Sequence, residues 1–323
     1  MNPLFTLVSK RLLLGTVTLF VISMLIFMGV EALPGDLAEA ILGQYATPET
    51  IAAMRLELKL DLPSYTRYFN WLTDFLQGDM GTSLSTKKDV ADVIGWRLGN
   101  TFFLAISAAV ISIPLAVVLG LFSALYRNSL FDRLVSIFSL AAISVPEFFI
   151  AYILIAIFSV QFPWFTSVVS PTDEMSFFEK LYEIILPCFT LTFVVLAHMM
   201  RMTRAAIINI LSSPFIEMAQ LKGCSRLRII VKHALPNALS PVITVIALNL
   251  AYLIVGVVIV EVVFAYPGMG AHLVEMVHVR DLPVIQATAL IFAGTYILLN
   301  LAADILSIVF NPKLHYRKNS GSN

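Results

Sequence analysis

Long apolar runs separated by polar stretches set the pattern of this chain. They cover Leu12–Val30, Thr101–Leu125, Leu134–Val160, Ile184–Met200, Ser240–Val263 and Gln286–Phe310. Each can cross a hydrocarbon core that needs roughly 20 residues of helix. Ile184–Met200 is the shortest and carries Pro187 and His198. A helix satisfies its own backbone hydrogen bonds, which lipid cannot do, so the pattern predicts an all-α membrane protein with six transmembrane helices. The first run exceeds a signal-peptide core of roughly 7–15 residues, and no small-residue cleavage site follows it; it reads as a retained helix.

Composition agrees. Of 323 residues, 59% are hydrophobic and 13% charged, with a mean hydropathy of +0.87. Soluble domains carry roughly 25% charged residues, so the bilayer is the expected solvent. The formal net charge of zero argues against nucleic acid as a partner. Cys188 and Cys224 fall in an apolar run and a basic loop, respectively, and read as unpaired thiols without a metal-ligand pattern.

Charge placement orients the spans. With the N-terminus inside, thirteen of the 21 Lys and Arg residues fall in inner segments, among them Lys10, Arg11, Arg127, Arg133, Arg201, Arg204 and Lys232, against the two acids Asp132 and Glu217. Outer segments hold eight basic and sixteen acidic residues. This asymmetry predicts both termini in the cytoplasm. The long outer stretch from Glu31 to Gly99 looks folded. Thr47-Pro48-Glu49 reads as a helix start, with Ile51, Met54 and Leu58 on one apolar face. Pro63 ends that helix, and a second runs from about Tyr65 to Leu76. The pair is expected on the membrane surface, over a pore mouth or bracing the first span.

Between the fourth and fifth spans the chain reads Ser212-Ser213-Pro214-Phe215-Ile216-Glu217-Met218-Ala219-Gln220-Leu221-Lys222-Gly223-Cys224-Ser225-Arg226 and runs on through Arg228 and Lys232 to His233-Ala234-Leu235-Pro236-Asn237-Ala238. Two short helices with a sharp turn are predicted. Ser213 caps the first, Pro214 opens it and Gly223 takes the left-handed position that stops it. Ser225 caps the second and Pro236 ends it. Such a rigid short helix can fill a groove on another protein.

The spacing of Glu217, Ala219, Gly223 and Leu235-Pro236 resembles the "EAA" loop of ABC-importer permeases, with Met218 in place of the second-position Ala and His233 in place of Ile. Ala219 to Gly223 is similar to the A-R-A-K-G of the dipeptide/oligopeptide/nickel branch. Other segments resemble the same branch in order: Ala32-Leu33-Pro34-Gly35-Asp36, Gly78-Asp79-Met80-Gly81-Thr82-Ser83, His233 to Ala238, Glu261 to Phe264 with Pro267-Gly268-Met269-Gly270, Arg280-Asp281-Leu282-Pro283-Val284, and Asn311-Pro312-Lys313. The long first outer segment resembles the B-type subunit of a paired permease. The resemblance implies residence in the bacterial inner membrane. It implies a second permease subunit, usually a paralogue, two cytoplasmic ATPase subunits carrying ATP and Mg²⁺, and a periplasmic solute-binding protein. It assigns ATPase coupling to Phe215, Glu217, Ala219, Lys222, Gly223 and Arg226. On this reading residues 1–30 form the N-terminal tail and first helix. Residues 31–99 form a periplasmic helical segment, 100–312 a five-helix core with a coupling loop at 205–239, and 313–323 a cytoplasmic tail.

The chain has no G-x-x-x-x-G-K-[ST], G-x-S-x-G or H-E-x-x-H, so neither nucleotide binding nor catalysis is expected of it, and no cofactor. Intramembrane acids are costly and mark cavities or partners. Glu147 follows Pro146, whose helix break can open backbone to a water-filled path. Pro146, Glu147, Glu261, Gly268 and Gly270 are the pathway or gate candidates. Glu261 and Asp304 also read as structural hydrogen-bonding groups. His272, Glu275 and His278, three apart, fan over about 120° of a helix, loose for one metal ion, and read better as an interfacial or gate helix. The expected cargo is peptides or related small polar solutes. Nickel or a metal chelate, an oligosaccharide, or a partner-independent secondary transporter are the alternatives.

Overall fold

A computed structural model describes residues 3–32, 37–172, 174–225 and 228–309. Residues 33–36 of the first outer motif, Arg226, Asn311-Pro312-Lys313 and the 313–323 tail lie outside the described residues. Among the described residues the fold is helical, with one isolated bridge between Thr82 and Asp89. The helices are α1 Pro3–Glu31, α2 Leu37–Leu42, α3 Pro48–Glu57, α4 Ser64–Leu76, α5 Val90–Leu125, α6 Leu130–Ser144, α7 Glu147–Ile155, α8 Phe177–Glu183, α9 Ile185–Leu211, α10 Pro214–Leu221, α11 Leu235–Val263, α12 Met269–Val279 and α13 Leu282–Val309.

Five helical segments, Val8–Glu31, Val90–Leu125, Ile185–Leu211, Ile229–Val263 and Leu282–Ser307, are long and apolar enough to cross a membrane. The run expected as one further span, Leu134–Val160, is broken. α6 and the α7 segment through Gln161 meet at 100°. Pro146 has no N–H to continue a helix, and its ring forces the preceding residue out of the helical region. Val145 accordingly sits at φ −102°, ψ 128°. Counting the bent pair as one span gives six.

The chain divides into two compact units. One comprises Met1–Leu12, Phe103–Tyr266 and Leu298–Asn323; the other comprises Leu13–Phe102 and Pro267–Ile297. In the first, α9 is the central helix. Leu186, Leu191 and Val195 are buried in a core completed by Leu104 and Ala108 of α5 and Leu253, Val257 and Val260 of α11. Small residues permit close approach, as in membrane helix packing generally. A Cβ at Gly120 would stand 2.7 Å from the Met200 carbonyl.

In the second unit, α3 begins at the expected place. Thr47 and Thr50 form a reciprocal capping box, with Pro48 in the first turn. The helix ends at Glu57, before Pro63, as Lys59 takes a left-handed φ of 53°. α4 lies along α1. Tyr68 Oη and Ser23 Oγ are 2.8 Å apart in a buried hydrogen bond, and Tyr68 also meets the rings of Phe20 and Phe27 edge-on. At the end of α1, Ser64 Oγ donates to Glu31 at 2.6 Å and Arg67 pairs with the same carboxylate. α2 was absent from the hydropathy pattern; six residues are too few to show a period.

Candidate functional site

α10 is built from both ends by its sequence. Ser213 stands at the N-cap in an extended conformation, and Pro214 opens the helix. The expected capping bond is missing: the Ser213 hydroxyl donates back to the Ile210 carbonyl of α9, which ties the loop to the helix before it. At the other end Gly223 has φ +74°. Its N–H donates to Gln220 O (2.9 Å) and Cys224 N–H to Ala219 O (3.2 Å). These two bonds form a complete Schellman motif, and the left-handed residue is where glycine avoids a Cβ clash.

One face of α10 is seated. Ile216 and Ala219 are buried with Ile229 and Ala234, and Cys224 packs against them. The opposite face presents Phe215, Met218 and Leu221 to the exterior, flanked by exposed Glu217 and Lys222. Large apolar groups spaced three residues apart on an exposed helix have the form of a helix that fills a groove. Of the six residues assigned to coupling, Phe215, Glu217 and Lys222 stand on or beside this face, Gly223 forms the stop and Ala219 belongs to the seat. Arg226 lies outside the described residues.

The second short helix differs from expectation. Pro236 does not end it. Ile229–Ala234 form a π turn, with Leu235 N–H donating to Ile230 O, and the chain continues directly into α11. A π turn shifts the ladder by one residue and so absorbs the N–H that Pro236 lacks. The His233 carbonyl accepts from Asn237 Nδ2 at 2.8 Å. The α10 seat and α11 are therefore one continuous piece of backbone.

The break at Pro146 gathers the other constellation. Glu147 is the first residue of α7. Tyr252 Oη of α11 donates to Glu147 Oε1 at 2.9 Å, whereas Oε2 is buried with no hydrogen-bond partner. Gly256, one turn beyond Tyr252, makes room: a Cβ there would stand 3.1 Å from Oε2. The His198 ring of α9 packs against Tyr252, with centroids 5.8 Å apart. Sequence reasoning missed Tyr252, Gly256 and His198 as members of this group. They lie on separate spans with ordinary span compositions, so no local signal marks them.

The remaining candidates are dispersed. Glu261 is fully buried, more than a turn along α11 from Gly256. Burial, and then the Glu261 carboxylate, push the Tyr266 phenol above its ordinary range. Gly268 and Gly270 belong to the second unit, where Gly268 caps α12. Thr101 Oγ1 accepts from Met269 N at 2.8 Å, and Asn100 donates to the Pro267 carbonyl at 3.0 Å. Asp304 pairs with Arg11 at 2.9 Å. His272 is buried rather than solvated, with Nδ1 3.4 Å from Glu275, while His278 donates to its own helix at Val274 O. Burial and the nearby Arg97 charge hold His272 below its ordinary pKa. No group of three metal-ligating side chains occurs among the described residues. Cys188 and Cys224 are both free.

Two motifs that sequence reasoning kept apart meet in the second unit. Asp281 of Arg280-Asp281-Leu282-Pro283-Val284 is buried and accepts from Ser83 Oγ (2.6 Å), Ser85 Oγ (2.8 Å) and Ser85 N (3.0 Å). Burial alone would raise its pKa, but the hydrogen bonds from Ser83 and Ser85 outweigh it and lower the value.

The comparisons agree along the whole chain. Residues 116–316 match the family described as binding-protein-dependent transport system inner membrane component, and residues 4–105 match the N-terminal model of the same systems. The glutathione transport system permease proteins GsiC of Escherichia coli (strain K12) and Shigella dysenteriae serotype 1 are each 37% identical over 310 residues, 96% of this chain and 99% of the relative. The chain therefore belongs to the inner membrane components of binding-protein-dependent transport systems: it is a multi-pass permease subunit of an ABC importer, a transport subunit and not an enzyme.

Proposed function

We propose that the chain forms half of the translocation pathway for peptides or related small polar solutes, delivered by a periplasmic binding protein and driven by ATP and Mg²⁺ on two cytoplasmic ATPase subunits. The second half is a paralogous permease. Both termini face the cytoplasm, which puts α10 on the ATPase side, as the Lys and Arg distribution supports. Two relatives named for glutathione transport favour a peptide-like cargo.

The observation that carries the coupling role is the outward face of α10. Phe215, Met218 and Leu221 are exposed on a helix whose other face is seated and whose end is locked at Gly223. An ATPase groove that closes on this face moves α10 as a rigid body. Because the seat includes Ile229 and Ala234 of the π turn, the motion reaches α11 without crossing a flexible joint. Glu217 and Lys222 flank the apolar face and set the docking register; Arg226 follows the turn. Pro146, Glu147, Glu261, Gly268 and Gly270 line or gate the pathway.

Glu217→Arg tests this. The variant is expected in the membrane at wild-type level, with cargo-stimulated ATPase activity and uptake down about tenfold, equivalent to roughly 1.4 kcal/mol of lost interaction. The readout is labelled dipeptide or glutathione uptake into proteoliposomes holding the complete importer. Wild-type uptake by the variant removes Glu217 from the docking role.

A further inference from the structure

We infer that Glu147, with Tyr252 and Gly256, forms a mid-membrane station for the ammonium group of a peptide in transit, an inference resting on the peptide-import reading above. The three residues come from two spans. Glu147 lies near the middle of the broken Leu130–Gln161 run, and Tyr252 and Gly256 lie just past the middle of α11. Helix-breaking backbone at that depth is tolerated only where protein or a water-filled cavity receives it.

The carboxylate is incompletely satisfied. Tyr252 supplies one hydrogen bond to Oε1; Oε2 has none and is buried. No ion pair to Glu147 occurs among the described residues, whereas Asp132 at the start of the same broken run has a guanidinium. A desolvated carboxylate left in this way favours a cation as its missing partner. Gly256 lies against this carboxylate without a side chain, and a Cβ there would stand 3.1 Å from Oε2.

The surface around the station also has the required access. Tyr252 is 42% exposed and belongs to a stripe of exposed α11 residues with Leu248, Val255 and Ile259. A stripe facing only lipid gains nothing from a carboxylate at its centre, where a charge is expensive. A stripe facing a water-filled path shared with a second permease reconciles both observations. The cargo's N-terminal ammonium would bind Oε2, with Tyr252 holding Oε1 in place and His198 packed behind the Tyr252 ring. No bond is made or broken; the station lowers the electrostatic cost of carrying the charge across the membrane.

The test uses the complete importer in proteoliposomes with its binding protein and radiolabelled dialanine. Glu147→Gln keeps the size and the Tyr252 bond but removes the charge; Glu147→Asp keeps the charge on a shorter stem. At saturating dialanine the Gln variant is expected to import about tenfold more slowly than wild type and the Asp variant no more than about threefold, a difference of about 0.7 kcal/mol or more between them. Tyr252→Phe, which removes only the hydroxyl, is expected to fall between wild type and Gln. A side chain needed for packing alone gives the reverse order, so a Gln variant no slower than Asp overturns the proposal. If Glu147 variants fail to assemble, wild-type uptake by Tyr252→Phe overturns it instead. Absence of dialanine uptake by the wild type refutes the peptide reading itself, a separate outcome.

Discussion

The broken α6–α7 run holds one carboxylate at its start and another at its break, and the protein treats them in opposite ways. Asp132, in the first turn of α6, accepts from Arg204 Nε and Nη2 at 2.6 and 2.8 Å, from the Asn128 amide at 2.9 Å and from the Ser123 hydroxyl. Its lone pairs are fully used, and the bidentate Arg geometry fixes α9 against α6. Glu147, at the break, receives one hydroxyl and keeps one oxygen buried and bare. Charge inside a membrane protein is thus either neutralised in place, which makes structure, or left for something that arrives, which makes a site. Asp281 of the second unit lies between the two: its Oδ2 receives the hydroxyls and amide of Ser83 and Ser85, whereas its Oδ1 is buried without a hydrogen-bond partner.

The contrast is testable. Asp132→Ala strands the partly buried Arg204 and is expected to cost about 3 kcal/mol, the lower end for a broken buried pair. Thermal unfolding of the purified protein reads it, with much of the loss recovered when Arg204 is also replaced by Ala. Glu147→Gln removes no partner's charge and should leave the unfolding temperature within a degree or two of wild type, although uptake falls; equal destabilisation of the two would erase the distinction.

Asp281→Asn is expected to cost about 2 kcal/mol at neutral pH, where charged hydrogen bonds are at full strength. Its folded pKa is depressed. Its contribution is therefore present above the unfolded value near 4 and lost as pH falls through the lower folded value. Unfolding midpoints of wild type and variant should converge in acid; a constant gap across that window would assign the effect to shape instead of charge.

Gly256→Ala is the smallest perturbation. Its methyl would press on Glu147 at 3.1 Å, an overpacking cost of about 1 kcal/mol. Uptake should drop a few-fold with little change in assembly. Wild-type uptake would show that the space beside Oε2 is not used.

Much of this was legible in the chain. The apolar runs are covalent facts, and a bilayer leaves helices as the way to bury them. The turn at Gly223 and the starts at Thr47 and Pro214 were local consequences of residue chemistry. The errors were local rules overridden by their surroundings. Pro236 should have stopped a helix, but a π turn shifted the ladder and carried it on into α11. The Ser213 hydroxyl donates to the Ile210 carbonyl instead of accepting from an N–H of its own helix. Pro146 did break its run, but its consequence, a 100° bend within a span, required knowing that α9 and α11 were present to receive it.

The sequence by itself determined five of the spans, the helix stop at Gly223 and the family to which the loop around Glu217 belongs, since each follows from neighbours within a few residues or from an ordered set of motifs. Only the tertiary structure decided which acids are satisfied. Asp132 and Arg204 are 72 residues apart, Glu147 and Tyr252 105, and Ser83 and Asp281 198. A carboxylate's role depends on the donors that reach it, and donors at those separations are chosen by helix packing, which no stretch of sequence around either residue records.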